Sequence, residues 1–237
     1  MIKLARKYHK WFMAFLGIQF LFWSITGLYM VSMDIHHIHG EGLQKPSSEV
    51  LELGKVTYPI ASLSQRYPRA ENISIVKLLR RQVYQFEVTE PHKKWLLIDA
   101  NSGQLMPEIE QEVAVNIARY HYSKEHKIAD VILIDSKIFL PSELSPRYLP
   151  VWQVTFDHFS SPTFYISQQT GQIVTKRHNY WRLFDWMWRF HIMDYDDGEN
   201  VSNWFLLLVA LLGVFSALAG GILSYFRIVK PNYGVRK

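Results

Sequence analysis

Residues 6–33 read RKYHKWFMAFLGIQFLFWSITGLYMVSM, and this stretch decides how the rest of the chain is interpreted. The 23 residues from Trp11 to Met33 carry no charge. A helix of that length measures about 35 Å, enough to cross the ~30 Å hydrocarbon core of a bilayer. A cleavable signal peptide would have a shorter apolar region, about 7–15 residues, before a small-x-small cleavage site. The stretch therefore predicts an uncleaved membrane anchor.

A second apolar stretch, Trp204–Phe226, is also 23 residues long and uncharged. Basic residues stand on the outer flank of each stretch, namely Lys3, Arg6, Lys7 and Lys10 before the first and Arg227, Lys230, Arg236 and Lys237 after the second. All 21 acidic residues lie between Asp34 and Glu199. By the positive-inside rule, we expect both termini in the cytoplasm and the central region on the outer side of the cytoplasmic membrane.

The net charge of +5 is therefore a signal of topology. The basic residues that exceed the acidic ones sit in the two terminal tails, so no basic patch points to nucleic acid as a partner. The chain has no cysteine, which excludes c-type haem attachment, cysteine-ligated iron–sulfur clusters and thiol catalysis. No nucleophile elbow, H-E-x-x-H motif, phosphate loop or dinucleotide fingerprint is present, so we expect a protein that is not an enzyme.

The central region contains an internal repeat at an offset of 68 residues. Three blocks match without gaps: residues 84–88 (YQFEV) with 152–156 (WQVTF), 95–98 (WLLI) with 163–166 (TFYI), and 101–105 (NSGQL) with 169–173 (QTGQI). Each copy predicts a helix, about 59–67 and 111–122, then a strand, about 73–79 and 131–135. A hairpin follows, closed through Pro91-His92 in one copy and Ser160–Pro162 in the other. Gly103 and Gly171 fit turns that need a positive φ.

The second copy also carries an insertion, residues 136–150, with three prolines. We predict an α+β fold in which two transmembrane helices flank an extracytoplasmic tandem module of helix plus antiparallel strands. The predicted boundaries are a cytoplasmic tail (1–10), transmembrane helix 1 (11–33), an interfacial segment and linker (34–57), unit 1 (58–107), unit 2 (108–176), an interfacial aromatic helix and linker (177–203), transmembrane helix 2 (204–226) and a cytoplasmic tail (227–237).

The sequence DANSGQL at residues 99–105 resembles the D-x-x-[ST]-G-x-[LIV] turn of the PepSY domain. With the flanking apolar helices, and with Arg6, His9, Trp11 and Gly27 around the first, nearly the whole chain resembles the PepSY-associated transmembrane helix family. The resemblance implies an accessory or binding subunit of an iron-uptake or redox membrane system. PepSY domains are also associated with peptidase inhibition, so modulation of a protease is an alternative.

Histidines at the two predicted outer membrane boundaries form the first candidate site. His36, His37 and His39 follow the first span, and His191 lies on the apolar face of the predicted aromatic helix before the second. Imidazole suits haem iron, zinc and copper, so these four are candidate metal ligands. The alternative is that histidines at a membrane interface cluster incidentally. On this helix, Arg182, Asp185 and Arg189 share the opposite, polar face.

The family resemblance singles out His9 as a second candidate. Larger relatives of this type resemble ferric-siderophore reductases with histidine-ligated b-type haem, which makes His9, His36, His37 and His191 candidate haem ligands. The second span has no histidine, so a haem at His9 would require a dimer or a partner protein. A b-type haem electron-transfer protein is thus an alternative function, although the cofactor itself is not identified by the sequence.

Small residues on the spans provide a third candidate, a surface for association in the bilayer. Gly213, Ala217, Gly220 and Ser224 form a stripe on the second span, and Gln19, Ser24, Thr26 and Gly27 supply small or polar groups on the first. The stripe fits either packing of one span on the other or contact with a further membrane protein. Apart from the bilayer, we therefore expect another membrane protein or a second copy of the chain as partner.

Overall fold

The computed structural model describes residues 2–46, 50–89, 93–196 and 198–228, with side chains from residue 10 onward except at 226. The fold is α+β, as predicted, with two antiparallel sheets between an N-terminal and a C-terminal apolar helix. The chain divides into two units. One, the helical unit, comprises Met1–Asp34 with Leu183–Lys237, and the other, the sheet unit, comprises Ile35–Arg182.

Two long helices of the helical unit are apolar enough to cross a membrane. Helix α1 is Ile2–Ser32 and the last helix of the chain, α6, is Trp204–Ile228. Their candidate spans are Lys10–Ser32 and Trp204–Tyr225, with mean hydropathies of 1.6 and 2.5. Large side chains stay exposed along both, including Leu28 at 71% and Val31 at 87%. Such exposure is compatible with lipid and differs from the buried core helix of a soluble protein.

The first helix ends one residue before the predicted boundary at Met33. Helix α1 ends at Ser32, and a separate one-turn helix, α2, runs over Ile35–Ile38. Gly40 then adopts a left-handed conformation with φ 66°. Ile38, the last residue of α2, is completely buried in the sheet unit.

The sheet unit contains two helix-plus-sheet arrangements in succession. The first consists of α3 (Ile60–Arg66), β1 (Ala70–Leu78), β2 (Arg81–Val88) and β3 (Lys94–Asp99), with sheet order β1-β2-β3. The second consists of α4 (Gln111–His121), β4 (Ile128–Ile134), β5 (Val151–Phe156), β6 (Thr163–Ser167) and β7 (Ile173–Arg177), with order β4-β5-β6-β7. The predicted helices and strands are confirmed to within a few residues. Pro91-His92, predicted to close the first hairpin, lies outside the described residues.

The two arrangements have the same register at the predicted offset. Tyr84 lies opposite Ile98 in the first sheet, and Trp152 lies opposite Ile166 in the second. In the turns that follow, the amide of Gly103 donates to the carbonyl of Asp99 and that of Gly171 to the carbonyl of Ser167, both at 2.9 Å. The two glycines have φ values of 70° and 69°, which confirms the predicted positive φ.

The first sheet is buried on both faces. Leu63 of α3 covers one face, where Tyr84, Phe86 and Ile98 are buried. The other face contributes to a core shared with α4 and the second sheet, formed by Leu78, Val83, Leu97, Ile109, Ala114, Ile117, Ala118, Tyr122, Val154, Phe156, Phe164 and Ile166. The insertion supplies Leu144 to a separate cluster with Ile134, Val151 and Tyr165. The faces of the two sheets are thus covered by different parts of the chain, namely α3, α4 and the insertion.

The segment predicted as linker or edge docks onto the end of α4. Gln44 forms a β-bridge with Tyr122, and the amide of Lys45 donates to the carbonyl of His121 at 2.7 Å. The amide of Ser123 donates in return to the carbonyl of Leu43. The part of this segment next to α2 is therefore an integral piece of the sheet unit.

Candidate functional site

His191 packs against the first apolar helix within the helical unit. It lies near the end of helix α5 (Asn179–Ile192), and its Nδ1 atom is 3.0 Å from Oγ1 of Thr26. Nε1 of Trp23 donates to the backbone carbonyl of His191 at 2.8 Å. A Cβ atom at Gly27 would be only 3.5 Å from Cε1 of the imidazole. The ring of His191, predicted to lie on the apolar face of its helix, points toward α1 and is hydrogen-bonded there. Of its neighbours, Thr26 and Gly27 are among the small and polar residues that the sequence marks as an association surface, whereas Trp23 is not.

The surroundings of Thr26 define the protonation of the His191 ring. The Thr26 hydroxyl donates to the carbonyl of Phe22 at 2.8 Å, one turn earlier in α1. A hydroxyl has a single proton, and with that proton on the carbonyl of Phe22 the Thr26 oxygen accepts from Nδ1 of His191. In this arrangement the neutral ring carries its hydrogen on Nδ1, which leaves the lone pair on Nε2. This tautomer presents one nitrogen that can bind a metal or accept a proton.

The described part of the helical unit does not fit a b-type haem by itself. His191 is the one histidine of this unit whose side chain is described; His9 lies on α1, but its side chain is outside the described part. Bis-histidine ligation requires a second ring. The ring of His191 also lies beside Gly27, where a methyl group would stand at ordinary contact distance from Cε1. A haem would therefore need His9 or a ligand from another chain.

The three histidines after the first span point to three different neighbours in the sheet unit. Nδ1 of His36 pairs with Oε1 of Glu41 at 2.9 Å on the exposed surface. The ring of His37 lies 5.3 Å from that of Tyr180, and the ring of His39 lies 5.0 Å from that of Trp181. Successive residues of a helix point about 100° apart, which explains why sequence neighbours diverge here.

A histidine that the sequence analysis missed, His178, is the buried one of this region. It follows β7 directly, is 2% exposed, and its Nε2–H donates to the carbonyl of His37 at 2.9 Å. A carbonyl oxygen can only accept, so the neutral ring carries its proton on Nε2. Burial lowers the pKa of His178, because the charged ring loses its hydration there. A lone histidine just after a strand gives no periodic signal.

Among the residues whose placement is described, no group of three or more His, Cys, Asp and Glu is arranged to hold a metal ion. The candidates His36, His37 and His39 belong to the sheet unit and His191 to the helical unit. A shared metal site of these four remains a prediction from the sequence.

A second missed feature is a buried polar network around Glu143, which lies in the insertion. Nε and Nη2 of Arg182 donate to the two carboxylate oxygens of Glu143 at 2.7 and 2.8 Å. The hydroxyl of Tyr165 donates to the same carboxylate at 2.6 Å, and Nη2 of Arg182 also reaches Oγ1 of Thr163. These bonds tie the insertion and the second sheet to the first turn of α5. Arg182, predicted to lie on the polar face of α5, is ion-paired there with a carboxylate from the insertion.

The network shifts the pKa values of its members in opposite directions. Burial alone would raise the pKa of Glu143, but the hydrogen bonds from Arg182 and Tyr165 and the nearby positive charges outweigh it and lower the pKa. Burial and the neighbouring carboxylate raise the pKa of Tyr165 well above its usual value. Glu143 is thus charged and Tyr165 neutral at physiological pH, which is a stabilising arrangement without a reactive group.

The small residues of the second span lie beside the contact with the first. Leu16 and Trp23 of α1 pack with Phe205, Val209 and Leu212 of α6. Of the predicted stripe, Gly213 and Gly220 are half-buried, whereas Ala217 and Ser224 are exposed. No described atom lies within 4 Å of where a Cβ would be on Gly213. The stripe is therefore not the main contact between the two helices.

The sheet unit has an open cleft of about 710 Å³ along the edge of β3. Its walls are Lys94–Leu97 of β3, residues 105–111, Trp152 and Gln168-Gln169. Nζ of Lys94 pairs with Oε1 of Glu108 at 2.7 Å across it. The Nε1 atom of Trp152 donates to the carbonyl of Ile109 at 2.6 Å. Clefts of this size can hold small molecules or short peptide segments.

Comparison of the chain with protein-family models, with curated proteins and with solved structures gives no match. Functional assignment therefore depends on the two units, their polar contacts and the resemblance described above.

Proposed function

We propose that this chain is a membrane-anchored, non-enzymatic subunit that binds or positions a partner in an iron-uptake or redox system of the bacterial inner membrane. The observation that carries the proposal is the arrangement of the chain. Two helices with lipid-compatible surfaces flank a sheet unit in which Glu143 and His178 are engaged in structural contacts. These contacts stabilise the fold, and the cleft along β3 is an accessible feature of the unit.

The iron-uptake or redox context has a separate support, the resemblance of residues 99–105 and of the flanking helices to the PepSY-associated family. The shared register of the two sheets and the matching turns at Gly103 and Gly171 support a tandem PepSY-like module. In this proposal the helices hold the module on the outer side of the membrane, and the partner contacts the module.

Topology is the first test. Alkaline phosphatase and green fluorescent protein would each be fused after Lys55 and after Lys237. The phosphatase should be active only at the first position, and the fluorescent protein should be fluorescent only at the second. Activity of the same reporter at both positions would contradict the inside–outside–inside arrangement and the proposal with it.

Partner capture is the second test. The tagged full chain, expressed at its native level, would be cross-linked in intact cells grown with and without iron and purified in mild detergent. Specific recovery of one iron-uptake or redox membrane protein supports the proposal. A chain that is recovered alone under both conditions contradicts it.

A b-type haem protein is a second candidate because Nε2 of His191 bears a lone pair in the observed hydrogen-bond arrangement. Its cheapest test is the absorption spectrum of the detergent-purified chain. A Soret band that His191→Ala weakens would favour this candidate, and a spectrum without such a band would remove it.

A further inference from the structure

The chain follows different paths after the two equivalent turns, the one after β3 and the one after β6. After Gly171 the chain continues as β7, which pairs with β6 over Thr163–Ile166. After Gly103 the chain forms one bridge, between Leu105 and Ile98, and then leaves the sheet. The remainder of the β3 edge, Lys94–Leu97, forms a wall of the cleft. The cleft thus occupies the place that a strand fills in the second sheet.

Proline explains why the chain leaves the first sheet. Pro107 stands at the position equivalent to Thr175 of β7, which pairs with Tyr165. A proline has no amide hydrogen and cannot continue a ladder of hydrogen bonds. The departing chain is held away from the edge by the hydrogen bond from Trp152 to the carbonyl of Ile109.

The backbone of β3 is oriented to accept a further strand. The amide of Ala100 donates to Gln82 of β2, and hydrogen-bonded positions alternate along an antiparallel pair. The amide and carbonyl groups of Trp95 and Leu97 therefore face away from β2, toward the cleft. Consistently, the carbonyl of Leu97 accepts from the amide of Met106 at 2.8 Å.

A side chain already occupies part of the place of the missing strand. Oε1 of Gln169 accepts from the amide of Trp95 at 3.0 Å. The residue equivalent to Trp95 in the second sheet is Thr163, whose partner on β7 is Arg177. The amide group of Gln169 thus resembles a backbone carbonyl of an added strand and could be displaced by one.

We infer that the open part of the β3 edge, Lys94–Leu97, binds an extended peptide segment of a partner protein by strand addition, with a β-branched residue followed by basic residues. The template is Thr-Lys-Arg at residues 175–177 of the chain's own β7, because residues 105 and 106 already occupy the places equivalent to 173 and 174. The basic residue is favoured because Glu108 and Glu110 line the cleft against a single cation, Lys94. Strand addition takes affinity from the backbone and selectivity from alternate side chains. This inference rests on the proposed function and specifies how the partner is held.

The test uses the full chain in lipid nanodiscs, labelled with ¹⁵N-leucine, and a synthetic peptide with the sequence of residues 172–177, acetylated and amidated at its ends. The amide signal of Leu97 is assigned by its loss in Leu97→Ile. A saturable shift of that signal is expected with the peptide. The same peptide with proline in place of the threonine should cause no shift, because its backbone cannot complete the ladder.

Three variants sharpen the result. Pro107→Thr matches the second sheet, should let the chain cover its own edge, and should weaken peptide binding at least tenfold without unfolding the protein. Gln169→Ala removes the competing side chain and should tighten binding about threefold. Glu110→Lys should weaken binding several-fold, whereas Glu112→Lys, outside the cleft walls, should leave it unchanged.

The inference is overturned if Leu97 does not shift at millimolar peptide or if the proline peptide shifts it equally. It is also overturned if Pro107→Thr, folded as judged by its spectrum, binds as tightly as the natural chain. Recovery of a membrane partner in the cross-linking experiment would leave the proposed function standing even then. Conversely, a shift of the Leu97 signal without a recovered partner would support peptide binding in the cleft and contradict the proposed iron-uptake or redox context.

Discussion

His191 and Thr26, which are 165 residues apart in sequence, are joined by a 3.0 Å contact between Nδ1 and Oγ1. The contact connects α5 to the C-terminal half of the first apolar helix within the helical unit. Because the Thr26 hydroxyl donates to the carbonyl of Phe22, the pair has a defined direction, from the imidazole to the hydroxyl. It is a polar link between helices of the kind found in membrane proteins.

The first prediction concerns the energy of this link. Thr26→Val keeps the shape of the side chain and removes the acceptor, and His191→Phe keeps a ring and removes the donor. A double-mutant cycle should give a coupling of about 0.6 kcal/mol, the average for interhelical hydrogen bonds in lipid, and no more than about 1.7 kcal/mol. Thermal unfolding of the four proteins in one detergent measures it. Thr26→Ser should retain the coupling, and additive effects of the two changes would mean that the contact contributes nothing.

The second prediction concerns the matched turns. A Cβ atom on Gly103 would lie 2.2 Å from Cε2 of Tyr58, and one on Gly171 would lie 2.6 Å from Cδ1 of Leu78. A left-handed conformation costs a residue with a side chain about 1–2 kcal/mol, and the steric overlap adds to this cost. Gly103→Ala and Gly171→Ala should therefore each lower the free energy of unfolding by about 2 kcal/mol or more.

Gly54→Ala is the matched control, because no described atom lies within 4 Å of where its new methyl group would stand and its φ is ordinary. Its effect should stay within about 0.5 kcal/mol, as for most surface substitutions. A destabilisation of Gly54→Ala equal to that of Gly103→Ala would show that the positive φ is not the cause.

The third prediction concerns Glu143 and its partners. Glu143→Gln leaves Arg182 without its full counter-charge and should destabilise the protein by about 1.5–3 kcal/mol, since a half-buried guanidinium loses two charge-assisted hydrogen bonds. Tyr165→Phe removes one hydrogen bond and should cost about 1 kcal/mol. Chemical denaturation followed by tryptophan fluorescence measures both. Equal effects of the two substitutions would contradict a dominant role for the ion pair.

The pH dependence of the same network has a definite sign. The folded pKa of Glu143 is lower than the value of 4.5 for an unperturbed glutamate, so the unfolded chain binds the proton first as the pH falls. The stabilisation is therefore complete above pH 4.5 and is lost as the pH falls through the folded pKa. Glu143→Gln should lose this part of the acid sensitivity. An unchanged acid transition in that variant would assign the transition to other groups.

The fourth prediction separates His178 from Glu143 by its pH window. The folded pKa of His178 is below 6.5, the value of a free histidine, so stability should be complete above pH 6.5 and decrease as the pH falls toward the folded pKa. His178→Gln, which retains a donor for the carbonyl of His37, should flatten the stability profile in this range. Melting temperatures between about pH 7.5 and 5 provide the measurement. A variant with the slope of the natural chain would exclude His178 as its source.

Elements with strong periodicity were predictable from the sequence, and contacts between distant residues were not. The apolar helices, the strands around Tyr84 and Trp152 and the turns at Gly103 and Gly171 each follow from a local pattern. The partner of Arg182 does not, because Glu143 lies 39 residues away in an insertion that looks irregular. Helical phase placed Arg182 with Asp185 and Arg189, and this grouping could not reveal a carboxylate from another part of the fold.

The histidines illustrate the same limit at a shorter range. His36, His37 and His39 are clustered in sequence, yet the bend after Ser32 and the single turn of α2 give each a different neighbour. His178 carries no motif and becomes notable only through its burial. Phase did predict the inward direction of His191, but the identity of Thr26 as its partner depends on how two helices pack.

The hydrogen bond from His178 to the carbonyl of His37 joins the beginning of the sheet unit to its end. A segment whose ends already meet closes no additional loop in the host chain, so the loop-closure entropy of its insertion is small. Its two attachment points in a host chain can therefore lie close together. Segments of this kind tolerate insertion into another chain. Residues 35–182 could therefore be inserted into, removed from or exchanged in a chain that forms the helical unit. The hydrogen bond between His178 and His37 would hold the two ends of the inserted segment together.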